Sequence, residues 1–236
     1  MKRILFSVLI FSFFATNAFA NRITDAADIW FNKSVGRVFM GYATADINVN
    51  GSVVDIAKEE RPEIKSKCKD ALMVGVENFC DVGCGNFKVG VNVSGLFSVP
   101  HEIDQKTSQG KKIGGNFSSV LFPAMIGASY NRNISEKFSL NGRLFLGYGT
   151  ALFSSRTYVI EKDKDGVEHK NYYKHIFKDG ICFVSDLSVG VGYALTKKYK
   201  LGLDVGYRFT PKTTISEDIK LDFSGFTATL SCTFNL

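Results

Sequence analysis

Residues 199–209, YKLGLDVGYRF, place Tyr199, Leu201, Leu203, Val205, Tyr207 and Phe209 at every second position, with Lys200, Gly202, Asp204, Gly206 and Arg208 between them. Successive side chains of an extended chain point to opposite faces, so this run predicts a strand with one large apolar face and one small or charged face. The same period runs through 181–195, where Phe183, Leu187, Val189, Val191 and Tyr193 oppose Asp186, Ser188, Gly190 and Gly192. Only TKK separates the two runs, which predicts a tight antiparallel hairpin. NRNISE joins 120–130 to 137–152 in a second hairpin, and CDVGCG joins 70–79 to 86–99 in a third. Both parities of 36–47 carry apolar residues, and Val38, Met40 and Tyr42 are expected to face outward. Pro123 lacks a ladder donor, so its strand is expected to start late or carry a bulge.

With 223–236 added, the predicted strands are 36–47, 70–79, 86–99, 120–130, 137–152, 181–195, 199–210 and 223–236. Long polar connections at 48–69, 100–119, 153–180 and 211–222 alternate with short ones. Large aromatics gather at both strand ends: Phe87, Tyr130, Phe138, Tyr193, Tyr199 and Phe234 by the short turns, and Phe97, Tyr148, Phe183, Phe209 and Phe226 by the long loops. These features predict an all-β fold, an eight-stranded antiparallel transmembrane up-and-down β-barrel with long outside loops and short periplasmic turns. A soluble sandwich or lipocalin-like barrel shows the same alternation. The lack of bulk on the polar face and the placing of the aromatics weigh against it.

The run TATLSCTFNL keeps the alternation through its end, with Thr227, Thr229, Ser231, Thr233 and Asn235 expected inside and Ala228, Leu230, Cys232, Phe234 and Leu236 toward lipid. Backbone groups left unpaired in hydrocarbon cost several kcal/mol each, so the last strand is expected to pair with the first.

Ahead of the barrel, MKRILFSVLIFSFFATNAFA has the charged start, apolar run and small-residue cleavage site of an export signal, residues 1–20. Residues 21–33, NRITDAADIWFNK, are expected to be a periplasmic extension, a short helix or plug, and 34–236 the barrel domain. The formal net charge is +6, of which Lys2 and Arg3 supply two units, too little to suggest nucleic acid. No later run is long and apolar enough for a membrane helix. The 22 Gly, 21 Phe and 9 Tyr fit a sheet whose membrane-facing surface is hidden in alternation.

On the export signal, the amphipathic strands, LDVGYRF at 203–209 and the C-terminal strand, the chain resembles the small bacterial outer-membrane β-barrels, the group of the OmpA transmembrane domain, OmpX and the opacity proteins. The resemblance covers roughly residues 34–236. It implies a monomer in the outer membrane of a Gram-negative-type bacterium, in contact with outer-membrane lipid and lipopolysaccharide and delivered by the barrel-assembly machinery. It also implies a non-enzymatic structural or surface role, with Leu230, Phe234 and Leu236 forming the C-terminal assembly strand. That strand commonly ends in an aromatic residue in the group, and Leu236 departs from the pattern. No wall-anchoring role is carried over from OmpA, because no further domain is expected after the final strand.

Glu77, Lys88, Arg143, Asp186, Lys200, Asp204 and Arg208 share the inward parity and are expected to form a lumenal polar network. An eight-stranded interior is just wide enough for its side chains, and charges buried there need partners. A narrow pore for small solutes is the alternative. Asp186 and Asp204, on neighbouring strands, raise an acid–base pair as a further one. A lipid-modifying hydrolase would need Ser, His and a carboxylate together, but His101, His169 and His175 fall in long loops and none is expected on a strand beside a matching Ser. The strand glycines lack the phosphate-loop patterns. Cys80 and Cys84 bracket a turn and are spaced for a local disulfide, whereas Cys232 has lipid-facing parity. No catalytic residue, cofactor or metal site is expected. The outside stretches 58–70 and 161–179 mix both charges, the second together with Tyr172, Tyr173 and Phe177, which suits a host or surface ligand or plain solvated loops.

Overall fold

Alternation becomes a wall in the computed structural model, which describes residues 34–51, 64–106, 112–163, 165–172, 175–216 and 219–235. The expected export signal, the 21–33 extension and Leu236 lie outside the described residues. The strands are β1 Ser34–Gly51, β2 Ile64–Asp81, β3 Phe87–Ser98, β4 His101–Lys106, β5 Lys112–Asn133, β6 Phe138–Lys162, β7 Glu168–Tyr172, β8 Ile176–Ala194, β9 Tyr199–Phe209, β10 Thr213–Ser216, β11 Ile219–Asp222 and β12 Gly225–Asn235.

Antiparallel ladders run from β1 to β2, β3, β5, β6, β8, β9 and β12 in turn. β12 then pairs back onto β1, from Val35↔Asn235 to Ala43↔Thr227, so the sheet is closed and these strands have no free edge over that span. The closure is staggered. Starting at Ser34, the register passes through Cys80, Val89, Ala128, Leu144, Leu187, Tyr207 and Phe226. The Phe226 N–H donates to Thr44 Oγ1, so one circuit climbs about ten residues of β1. A stagger of this size tilts the strands by roughly 40° from the axis of the ring.

The connections on one side are tight. Between β2 and β3, Gly83 and Gly85 hold φ of 75° and 67°, in the left-handed region open to glycine, and the Gly83 N–H caps Asp81 Oδ1 at 2.8 Å. On the other side the expected long loops begin as sheet. β1 continues to Gly51, β5 starts at Lys112 and β6 continues to Lys162. The small strands β4, β7 and β11 pair with β5, β6 and β1, and β10 pairs with β11. Antiparallel ladders need only backbone partners, so they extend past the point where apolar alternation stops marking them. Pro123 neither delays its strand nor bulges it: β5 pairs through Pro123↔Gly149 without a shift. The missing donor shows instead as a gap in the β3 ladder between Val93↔Ala124 and Leu96↔Leu121.

The two faces of the wall differ in kind. Ile126, Leu144, Leu187, Leu203 and Leu230 point outward and are between 47% and 72% exposed. Val38, Met40 and Tyr42 are outward as expected. Rings pair along both rims of this apolar belt. By the short turns Phe87 meets Tyr130 at 4.9 Å and Phe138 meets Tyr193 at 5.2 Å. Toward the long connections Phe97 meets Phe122 at 5.7 Å, Tyr148 meets Phe183 at 5.8 Å and Tyr207 meets Phe226 at 5.3 Å.

Candidate functional site: the filled lumen

The inward face is layered. In the layer that contains Arg37, Glu77 and Asp204, the Arg37 guanidinium bridges two carboxylates: Nη1 donates to Glu77 Oε2 at 2.6 Å and Nη2 to Asp204 Oδ2 at 2.5 Å. Arg143 closes the group, with Nη2 2.9 Å from Asp204 Oδ1 and Nε 3.9 Å from Glu77 Oε2. Asn92 Nδ2 donates to Glu77 Oε1 at 2.9 Å, Arg143 Nε to Ser188 Oγ at 3.3 Å and Ser231 Oγ to Asp204 Oδ2 at 3.4 Å. The Arg37 guanidinium carbon lies 5.0 Å from the centre of the Phe39 ring. Two cations thus face two anions, each carboxylate shared between both arginines, the arrangement that buried charge requires.

Closer to the long-loop side a second pair forms, where Arg208 donates through Nε and Nη2 to Asp186 Oδ2 at 3.1 and 2.8 Å and lies 3.2 Å from Met73 Sδ. Above it the interior turns apolar. Leu96, Leu121, Phe117, Phe153, Val184 and Phe223 are almost fully buried there. Asp186 is therefore held by Arg208 and Asp204 by Arg37 and Arg143, so the two carboxylates are engaged separately and do not form the acid–base pair that their neighbouring strands suggested.

Of the expected network residues, Glu77, Arg143, Asp186, Asp204 and Arg208 are in it and buried. Lys88 and Lys200 are not part of the ion pairing. Both are half-buried at the short-turn end, where Lys200 Nζ donates to Ser139 Oγ at 3.0 Å. Arg37 was not among the expected residues, although the outward placing of Val38 already puts it inside. Gly190 supplies the room: a side chain there would run into Asp204.

The Cys80–Cys84 bridge is not formed; both thiols are free. Cys80 stays in register on β2 between Ser34 and Val89 and donates to Asp81 O at 3.7 Å, while Cys84 sits exposed in the turn. The histidine reading also needs correction. His175, just before β8, meets Ser154 of β6, with Oγ and Nε2 2.9 Å apart, because the sheet extends into the expected loop. No carboxylate among the described residues bonds His175. His169 instead meets Asp163 Oδ2 at 2.9 Å in the β6–β7 turn, and this bond, helped by the Val167 N–H, holds the Asp163 carboxyl below its ordinary range.

No family model matches the chain, and no curated protein matches it. Several solved structures are similar to it in fold. Ail, the attachment invasion locus protein of Yersinia pestis, is 15% identical, with a TM-score of 0.36 over 86% of this chain and 99% of that one. The outer membrane protein OprG from Pseudomonas aeruginosa is 12% identical, with a TM-score of 0.47 over 87% and 97%. The outer membrane protease OmpT from Escherichia coli is 9% identical, with a TM-score of 0.40 over the same shares. Likeness at this level assigns neither activity nor ligand.

Proposed function

We propose that the chain is an eight-stranded transmembrane up-and-down β-barrel of the outer membrane of a Gram-negative-type bacterium, a non-enzymatic envelope protein whose outer loops serve a structural or surface-interaction role. The apolar belt between two aromatic rims carries the reading. A monomer in water rarely leaves more than a few hundred Å² of contiguous apolar surface uncovered, and here such a surface girdles the closed sheet. The 11 residues of β9, rising about 3.3 Å each at a tilt of roughly 40°, span about 28 Å, the thickness of a bilayer's hydrocarbon core. In this reading lipid and lipopolysaccharide cover the belt, the barrel-assembly machinery inserts a monomer, and β12 is the strand it reads.

The interior supports a structural role over a pore, since paired charges are capped by a packed apolar layer. The hydrolase alternative has Ser154 and His175 in its favour, but among the described residues no carboxylate bonds the imidazole to orient it. A fluorophosphonate probe is expected to leave Ser154 unlabelled. The deciding experiment is cell fractionation with heat-modifiable gel mobility. Recovery in outer membranes with a compact unheated form is expected, and recovery only as a soluble periplasmic species would overturn the assignment.

A further inference from the structure

Among the described residues, Arg37, Arg143 and Arg208 neutralise Glu77, Asp186 and Asp204 in the lumen. Lys88 and Lys200 are left over. They reach inward from β3 and β9, half-buried, and the stagger of about ten residues per circuit brings these opposite strands to the same level at the short-turn mouth. Neither has a carboxylate within ion-pair distance among the described residues. Asp81, the cross-strand neighbour of Lys88, spends Oδ1 on the Gly83 N–H instead. Like charges brought together without a counter-charge destabilise a fold unless an anion sits between them.

The surroundings are shaped for such an anion. Gly192 clears the path: a Cβ there would lie 2.7 Å from both Lys200 Cδ and Ser139 Oγ and would push the lysine or the hydroxyl from its present place. Ser139 accepts from Lys200 and keeps its own proton free to donate. Ser129, buried, stands beside Lys88 on the neighbouring strand. Donors therefore come from strands on different sides of the mouth, which suits a tetrahedral oxyanion with acceptor oxygens in several directions better than a planar carboxylate.

We infer that the short-turn mouth of the lumen is a binding site for a phosphate-type oxyanion, held between the Lys88 and Lys200 ammonium groups with the Ser139 hydroxyl beneath it. In the orientation proposed above, this mouth opens to the periplasm. The inward parity of both lysines turns them from the lipid face, so the ligand is a soluble phosphate or phosphomonoester rather than a lipid headgroup.

The test is calorimetric titration of the full-length refolded protein, in a neutral maltoside detergent at low ionic strength, with inorganic phosphate. Saturable binding is expected, weakened about tenfold by Lys88→Gln and by Lys200→Gln and unchanged by Lys197→Gln in the adjacent turn. Heat-modifiable mobility checks that each variant is folded. Absence of saturable binding, or equal affinity in the Lys88 and Lys200 variants, would overturn the inference. So would binding to phosphatidylglycerol vesicles without binding of inorganic phosphate, or uptake of phosphate only after Asp25→Asn and Asp28→Asn together, which would make the chain's own carboxylates the occupant. Detergent binding does not depend on which membrane holds the barrel, so its failure leaves the localisation reading intact.

Discussion

Arg37 shows how much one inward side chain can hold. Its guanidinium ties β1 to Glu77 of β2 on one side and, past β12, to Asp204 of β9 on the other. Arg37→Ala leaves two carboxylates short of a partner, so a loss of roughly 3–5 kcal/mol is expected in equilibrium urea unfolding from detergent micelles. Glu77→Gln, which keeps the shape and removes one charge, should cost less. At the exposed end of the scale, Asp163 lies low in pKa because His169 and two backbone N–H groups bond its charged form. A depressed carboxylate contributes order that is complete above its ordinary range and lost as pH falls through the depressed value. Amide exchange at Asp165 and Val167 should therefore quicken, relative to the intrinsic rate, only on acidification below the ordinary aspartate range, and Asp163→Asn should show the quick exchange at neutral pH. Parity made most of the lumen readable in the sequence: once Tyr207 and Leu203 face out, Asp204 and Arg208 must face in. Parity could not say which charges meet, because partners such as Arg37 and Asp204 lie far apart in sequence and become neighbours only through the closure.

At the scale of the strand, the apolar period marks the part of each ladder that carries the outward belt and little beyond it. That is why 181–195 and 199–210 match β8 and β9 closely at the short-turn end, while β6 runs on to Lys162 through polar residues with no period to show. The Ser154–His175 contact went unforeseen for the same reason, being made by strand that reads as loop. β12 offers a test of the outward face. Leu230, paired with Met40 and Leu203, projects from the middle of the belt, and Leu230→Arg should cost about 2–4 kcal/mol of insertion stability in lipid vesicles. The same substitution in aqueous detergent-free buffer would be neutral or favourable for a soluble sheet.

For the molecule as a whole, the packed layer of Leu96, Leu121, Phe117 and Phe153 over the charged groups predicts no large, stable open conductance in planar bilayers. Steady opening of a wide channel by the unmodified protein would contradict the filled interior. The ring has a further kinetic consequence. Val35 and Asn235 are cross-strand partners about 200 residues apart in sequence, and pairings of that separation are slow because the chain loses its freedom before contacts repay it. A closed ring cannot avoid such a pairing by moving its ends. If the chain were cut in the β8–β9 turn and joined across β12 and β1, the long-range pair would simply pass to Gly192↔Gly202 and its neighbours. A circular permutant of this kind should therefore fold at close to the parent rate, because slow closure belongs to the circle and not to where the chain happens to begin.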